Sequence, residues 1–139
     1  MTPAERFAGA RVARLATVGG DGAPHVVAIT FAIDGDRIVT AIDHKPKRTI
    51  RLKRLDNVAA EPRVSVLVDH YEEQWDRLWW VRADGHASII QPDGPGHRDA
   101  AALLARRYPG YREHPIEGPI IEIRVTRWSE WAATEAARA

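Results

Sequence analysis

Apolar and polar positions alternate along most of this chain in short stretches that end at glycine-rich or Asp-Gly turns, and that rhythm predicts strands. Over residues 11–18 the apolar, largely β-branched Val12, Leu15 and Val18 run into Gly19-Gly20-Asp21-Gly22, a strand followed by a hairpin turn. Residues 25–33 (His-Val-Val-Ala-Ile-Thr-Phe-Ala-Ile) carry no acidic, lysine or arginine side chain and predict one continuous second strand. Asp34-Gly35-Asp36 is another turn, and residues 37–42 form a third strand, so the first half is an antiparallel meander. Residues 63–68 alternate around Val64, Val66 and Val68 as a fourth strand, and residues 78–90 give a long fifth, bent or bulged near Asp84-Gly85. In the sixth, residues 119–128, Ile121, Ile123 and Val125 alternate with Glu122, Arg124 and Thr126.

Three segments break the strand rhythm. Thr2-Pro3-Ala4-Glu5 combines a capping hydroxyl, a proline at the first helical position and a glutamate three residues after the cap, which predicts a helix ending near Gly9. Ile50, Leu52 and Leu55 lie at helical spacing among arginines and lysines, predicting a short helix over residues 48–55. Residues 100–108 are helical and stop at Pro109-Gly110. Six antiparallel strands with three short helices predict a mostly β (α+β) fold, a small β-barrel with helical decoration. Residues 91–96 and 109–118 are loops rich in proline and glycine.

Length and composition narrow the picture. A chain of 139 residues, 45% hydrophobic, supports one core, and a single domain over 1–139 is expected. With no cysteine there is no disulfide, thiolate metal site or cysteine nucleophile. Neither a signal-peptide pattern nor an apolar run of roughly twenty residues is present, so a cytoplasmic protein without a membrane partner is expected. The six histidines are scattered, with no pair at helical spacing, and no metal site is expected. A formal net charge of +1 is too mild for a general nucleic-acid binder.

The charge is unevenly placed. All three lysines, Lys45, Lys47 and Lys53, share one ten-residue stretch with Arg48, Arg51 and Arg54. Such a run is a local positive field suited to a phosphate or another anion, or equally a solvated helix face. Five tryptophans form the second concentration: Trp75, Trp79 and Trp80 around the start of the fifth strand, Trp128 and Trp131 near the end of the chain. Neighbours on a strand face opposite ways, so one of Trp79 and Trp80 is expected to face the barrel and the other a second surface.

In order and spacing, these segments resemble a known family. Ala16-Thr17-Val18, Asp21-Gly22-Ala23-Pro24-His25-Val26-Val27, then Phe31, Asp34-Gly35, Ile38 and Thr40 look like the opening of the split β-barrel flavin-binding superfamily typified by pyridoxamine 5′-phosphate oxidase. Lys45-Pro46-Lys47-Arg48-Thr49 resembles its phosphate-binding turn, and Asn57-Val58 with residues 62–68 resembles the stretch that follows. Val68-Asp69-His70-Tyr71, Trp75, Arg77, residues 78–81 and Asp84-Gly85 are similar to the actinobacterial subgroup that uses the deazaflavin coenzyme F420.

The resemblance implies a six-stranded split barrel, a homodimer with the cofactor at its interface, and an oxidoreductase that passes a hydride from reduced F420 to an activated double bond of a small organic substrate. It implies a cofactor ring lying along the strand at Val27, Ala28 and Thr30, with Thr40 offering a hydroxyl. Lys45, Lys47, Arg48 and Arg51 would hold the phosphate, the principal position falling to Lys47 or Arg48, and Trp79 or Trp80 would face the slot. The polyglutamate tail of F420 gives the additional cations a use. FMN is the alternative cofactor, and a module that carries a tetrapyrrole or another cofactor without turnover is the alternative role. Vitamin B6 oxidases of this superfamily are longer and have an arginine-rich C-terminal substrate segment that residues 128–134 do not match, so pyridoxamine phosphate oxidation is not expected. The resemblance imposes no catalytic side chain; Tyr71, His70 or a water could each supply a proton.

Overall fold

The computed structural model describes residues 1–42 and 53–138. Seven strands form one antiparallel sheet: β1 (Ala13–Val18), β2 (Pro24–Ile29), β3 (Ala32–Asp34), β4 (Arg37–Ala41), β5 (Arg63–His70), β6 (Trp79–Ile90) and β7 (Ile120–Ala132), in the spatial order β2-β1-β5-β6-β7-β4-β3. Helix α1 (Pro3–Ala8) precedes the sheet, α2 (Lys53–Ala60) leads into β5, α3 (His97–Arg107) and α4 (Gly110–Glu113) fill the connection from β6 to β7, and α5 (Glu135–Arg138) follows β7. Among the described residues no helix is long and apolar enough to cross a membrane.

Local chemistry explains most of these elements. At α1 the Glu5 backbone N–H donates to the Thr2 hydroxyl (3.1 Å), and the Thr2 N–H donates to the Glu5 carboxylate (2.8 Å). This reciprocal cap holds the Glu5 carboxyl below its ordinary pKa, chiefly through the Thr2 backbone bond. Gly22 and Gly35 take φ of 84° and 64° at the two hairpin turns, angles that other residues adopt only with strain. The bend expected near Asp84-Gly85 is a register shift between β6 and β7: Asp84 opposes Arg127 and Gly85 opposes Val125, which leaves Thr126 extra.

The barrel interior is filled from alternate positions of the strands: Leu15 on β1, Val64, Val66 and Val68 on β5, Val81 and Ala83 on β6, Ile121 and Ile123 on β7. Phe7 of α1 closes one end, edge-on to Phe31 at 4.9 Å and to Trp128 at 5.4 Å. A second cluster on the opposite side of the β4 region joins Ala32, Val39, Ala41 and Ile120 to Ala100 and Leu104 of α3. The two clusters leave β4 covered on both sides, its residues Ile38 to Ala41 all buried.

Three sequence expectations change. The strand expected over residues 25–33 is two strands, β2 and β3, separated at Thr30 and Phe31, so the barrel has seven strands rather than six, and the expected meander is two separate hairpins, β1–β2 and β3–β4, with β2 and β3 at opposite ends of the strand order. The Phe31 N–H, which a continuous strand would commit to a ladder, instead donates to the Tyr108 hydroxyl (3.0 Å), a partner 77 residues away. The helix expected over residues 48–55 is described from Lys53 and continues to Ala60, past its expected end; residues 48–52 lie outside the described residues. Its Asn57 is buried and donates from Nδ2 to the Thr17 hydroxyl of β1 (2.9 Å), so the helix is anchored by a residue read only as part of a family motif. Finally, β7 runs to Ala132, past the expected end at residue 128, because Ser129, Glu130 and Trp131 pair with Arg82, Val81 and Trp80 of β6.

Candidate functional site

The break between β2 and β3 is the centre of the candidate site. Thr40 on β4 donates its hydroxyl proton to the Thr30 carbonyl (2.7 Å), which joins the strand break to the middle of a buried strand. The Tyr108 hydroxyl accepts from the Phe31 N–H and lies 2.9 Å from the Phe31 carbonyl and 3.0 Å from the Arg11 carbonyl. Having one proton, it donates to one of these carbonyls at a time. The Tyr111 hydroxyl is 3.0 Å from the Thr30 hydroxyl, and the rings of Tyr108 and Tyr111 meet edge-on at 5.9 Å.

Two hollows open on either side of Thr30. One, of about 190 Å³, is lined by Val12, Ala28, Thr30, Thr40, Ala41 and Arg54. It brings together three of the residues expected to hold a cofactor, Ala28, Thr30 and Thr40, with one guanidinium of the basic run. The other, of about 640 Å³, is bounded by Thr30, Ile42, Tyr108, Tyr111 and the loop from His114 to Glu117. The smaller hollow holds the expected residues even though the larger is the roomier.

The remaining expected residues are placed as follows. Val27 opposes Leu15 and packs on the barrel core, so only its backbone is available to a ring lying on the outer side at Ala28. Lys45, Lys47, Arg48 and Arg51 lie outside the described residues. Trp79 packs on the core, with the Arg6 guanidinium 4.7 Å over its ring and His70 stacked at 6.3 Å. Trp80 faces the other way, opposite Asp69 and Trp131, with Arg82 5.8 Å from its ring centre. The expected division between the two tryptophans is therefore present, and neither lines the hollow that contains Ala28 and Thr40.

The outer side of the sheet carries the site's electrostatics. Arg14 lies 3.6 Å from Asp69, and Arg82 lies 3.1 Å from Asp84. Asp84 also accepts from the Ser65 hydroxyl (2.6 Å). Exposed apolar side chains lie elsewhere on or beside the sheet: Val26 is 62% exposed, and Val12 and Trp131 are each 40% exposed. Near the far end of the sheet, three hydrogen bonds from Arg63, two from its guanidinium and one from its backbone N–H, hold the Glu61 carboxyl down to about 2. Tyr108 and Tyr111, which organise the site, are not among the sequence candidates, where Tyr108 is only the end of a helix; two tyrosines flanking Pro109-Gly110 were the available signal.

An antiparallel split barrel with a hollow at a strand break, lined by Ala28, Thr30, Thr40 and Arg54, defines the class of fold. The chain matches the pyridoxamine 5′-phosphate oxidase family over residues 4–132, and it belongs to that family. Among curated proteins there is no match.

Solved structures share the fold. A conserved hypothetical protein from Mycobacterium tuberculosis superposes with a TM-score of 0.75 at 23% identity, over 98% of this chain and 88% of that one. A haem storage protein from Vibrio cholerae gives 0.72 at 18% identity, over 93% and 91% of the two chains. An FAD-binding protein from Mesorhizobium loti gives 0.66 at 24% identity, over 91% and 89%.

Proposed function

We propose that this protein is an F420-dependent oxidoreductase, working as a homodimer in the cytoplasm with the cofactor at the interface. The observation that carries the reading is the hollow lined by Ala28, Thr30, Thr40 and Arg54, which opens where the run containing Lys45, Lys47, Arg48 and Arg51 joins the fold. The residues present suit a flavin-type group. Ala28 lets a flat ring approach the β2 backbone, Thr30 supplies a hydroxyl, and the Thr40 oxygen keeps lone pairs after donating its proton to Thr30. Cations from the run would meet the phosphate and the acidic tail.

At about 190 Å³ the hollow is smaller than the roughly 300–1,000 Å³ usual for organic cofactors and ligands, so one chain supplies one wall. A second copy laid on the exposed Val12, Val26 and Trp131 would supply the other, which supports the dimer. When bound, reduced F420 provides the hydride that an activated double bond accepts. The protein's part is to hold the ring along β2, fix Thr30 through Thr40 and Tyr111, and keep water from the apolar face.

Fluorescence titration of cofactor-free protein with F420, FMN and haem at one salt concentration tests this reading. Saturable F420 binding that is the tightest of the three supports it. Preference for FMN assigns the chain to the flavin branch, preference for haem to a carrier without turnover, and either result overturns the F420 assignment. The double variant Lys47→Ala/Arg48→Ala is expected to weaken F420 binding by well over tenfold, since each charge-assisted phosphate contact contributes roughly 1.5–3 kcal/mol.

A further inference from the structure

The larger hollow has no part in cofactor binding as proposed above, yet it shares Thr30 with the cofactor hollow. Its volume of about 640 Å³ falls within the range of small-molecule sites. Its walls come from separate elements: Ile42 after β4, the two tyrosines at the α3–α4 junction, and Pro115 and Ile116 from the loop before β7. The hydroxyl pair of Thr30 and Tyr111 stands at the boundary between the hollows.

The walls are not free to close in. Tyr108 is tied to the backbone of Phe31 and of Arg11, and Leu104 beneath it is fully buried against Ala32, Val39 and Ile120. His97, which begins α3, is bonded through Nε2 to the Gly118 carbonyl (2.8 Å), fixing the far end of the 114–117 loop. The cavity is therefore held open by contacts made outside it. Its fixed charge is acidic: among the described residues its lining includes two carboxylates, Glu113 and Glu117, both exposed, one histidine, His114, and no lysine or arginine.

We infer that this cavity is the acceptor pocket, and that it takes a flat, uncharged, unsaturated ring compound. The inference rests on the reading of the neighbouring hollow as the cofactor site. Aromatic and aliphatic walls favour a planar apolar body, the Thr30 and Tyr111 hydroxyls lie where a carbonyl edge would meet the cofactor, and the carboxylates at the mouth oppose an anion. Thr30 and Tyr111 are positioning residues in this scheme.

The test uses 1,4-naphthoquinone and its 2-sulfonate, which share the ring and of which only the second carries an anionic group, each variant being compared with the natural protein on the same quinone. In turnover the quinone gains a hydride and a proton and leaves as the hydroquinone, while the reduced F420 that supplies both is oxidised. Ile116→Trp, which fills the cavity, is expected to raise KM for naphthoquinone about tenfold or more while leaving the F420 dissociation constant within about twofold. Glu113→Gln/Glu117→Gln, at exposed positions that do not endanger folding, is expected to raise kcat/KM for the sulfonate roughly threefold or more with the neutral quinone unchanged.

Equilibrium dialysis of naphthoquinone against cofactor-free protein separates this inference from the cofactor reading. Retention by the natural protein that is lost in Ile116→Trp supports the pocket even if F420 does not bind. Equal retention by both proteins, or an unchanged KM in a folded Ile116→Trp, overturns it. A double carboxamide variant that treats the two quinones as the natural protein does overturns the charge selectivity.

Discussion

The β6–β7 ribbon and the β2–β3 corner both read as strand along the sequence, yet they satisfy their backbones differently. Along the ribbon, pairs run from Trp79 with Ala132 to Ile90 with Ile120, and one bulge interrupts them. At the corner the ladder stops after Ile29, and the valences it leaves at Thr30 and Phe31 are met by side chains of Thr40 and Tyr108. A ribbon satisfied by its own neighbours is a scaffold. A corner satisfied by distant side chains holds a shape the chain would not adopt locally, and that shape separates two hollows.

This contrast predicts a global failure when the ribbon is disturbed. A Cβ on Gly85 would lie 3.0 Å from the Arg124 carbonyl carbon and closer still to its oxygen, and 3.1 Å from the Ile123 side chain. Backbone on a paired strand cannot step aside, so Gly85→Ala is expected to cost roughly 3 kcal/mol or more, read as a drop in the urea midpoint. A variant as stable as the natural protein would show that the two long strands can part at the bulge.

Disturbing the corner should act more locally. Tyr108→Phe removes the acceptor of the Phe31 N–H and the donor to Phe31 or Arg11, with an expected loss of about 1–3 kcal/mol. Hydrogen exchange provides the sharper reading: the Phe31 amide should lose protection while the amides of β6 and β7 keep theirs up to the global limit. If all of them accelerate together, corner and ribbon are one cooperative unit and the contrast fails.

Thr40→Val, at a position 1% exposed, removes only the bond to the Thr30 carbonyl, and about 1 kcal/mol is expected. Its more telling effect would be weaker F420 binding, because Thr30 would be held by Tyr111 alone and the hollow would lose the Thr40 hydroxyl. Loss of stability with unchanged affinity would separate the two roles.

The smallest effect is expected at Glu61, beside the entry to β5. Its carboxyl lies at about 2 in the folded protein against an ordinary 4.5, through hydrogen bonds from Arg63. A carboxyl depressed by folding contributes stability that is present above its ordinary pKa and is lost as pH falls toward the folded value. Glu61→Gln should therefore lower Tm slightly at neutral pH, and the gap should close between about pH 4.5 and 2. A gap that widens on acidification would mean that Arg63 does not hold Glu61.

What could be read along the chain follows from how local each signal is. The cap at Thr2, the turns at Gly22 and Gly35 and the irregularity near Asp84-Gly85 each depend on a few adjacent residues. Ala28, Thr30 and Thr40 were recognisable as candidates from their place in a familiar order of motifs, and they do line one hollow. The strand break was not readable, because residues 25–33 have uniform strand character and the bond that interrupts them comes from Tyr108. The end of β7 was missed for a related reason: Ser129 and Glu130 are not strand signals, but Arg82 and Val81 offer them partners.

Sequence by itself therefore determined the turns at Gly22 and Gly35, the alternation that puts Trp79 and Trp80 on opposite sides, the concentration of cations between residues 45 and 54 and, through an order of motifs that resembles a known family, the split-barrel class. The turns and the alternation rest on covalent neighbours and on the two-residue period of a strand. Only the tertiary structure decided where the second strand breaks, that α3 and α4 bring two tyrosines onto that break, and that Thr30 stands between two hollows. Those outcomes depend on hydrogen bonds across 77 and 81 residues, and their partners meet only after the barrel has closed.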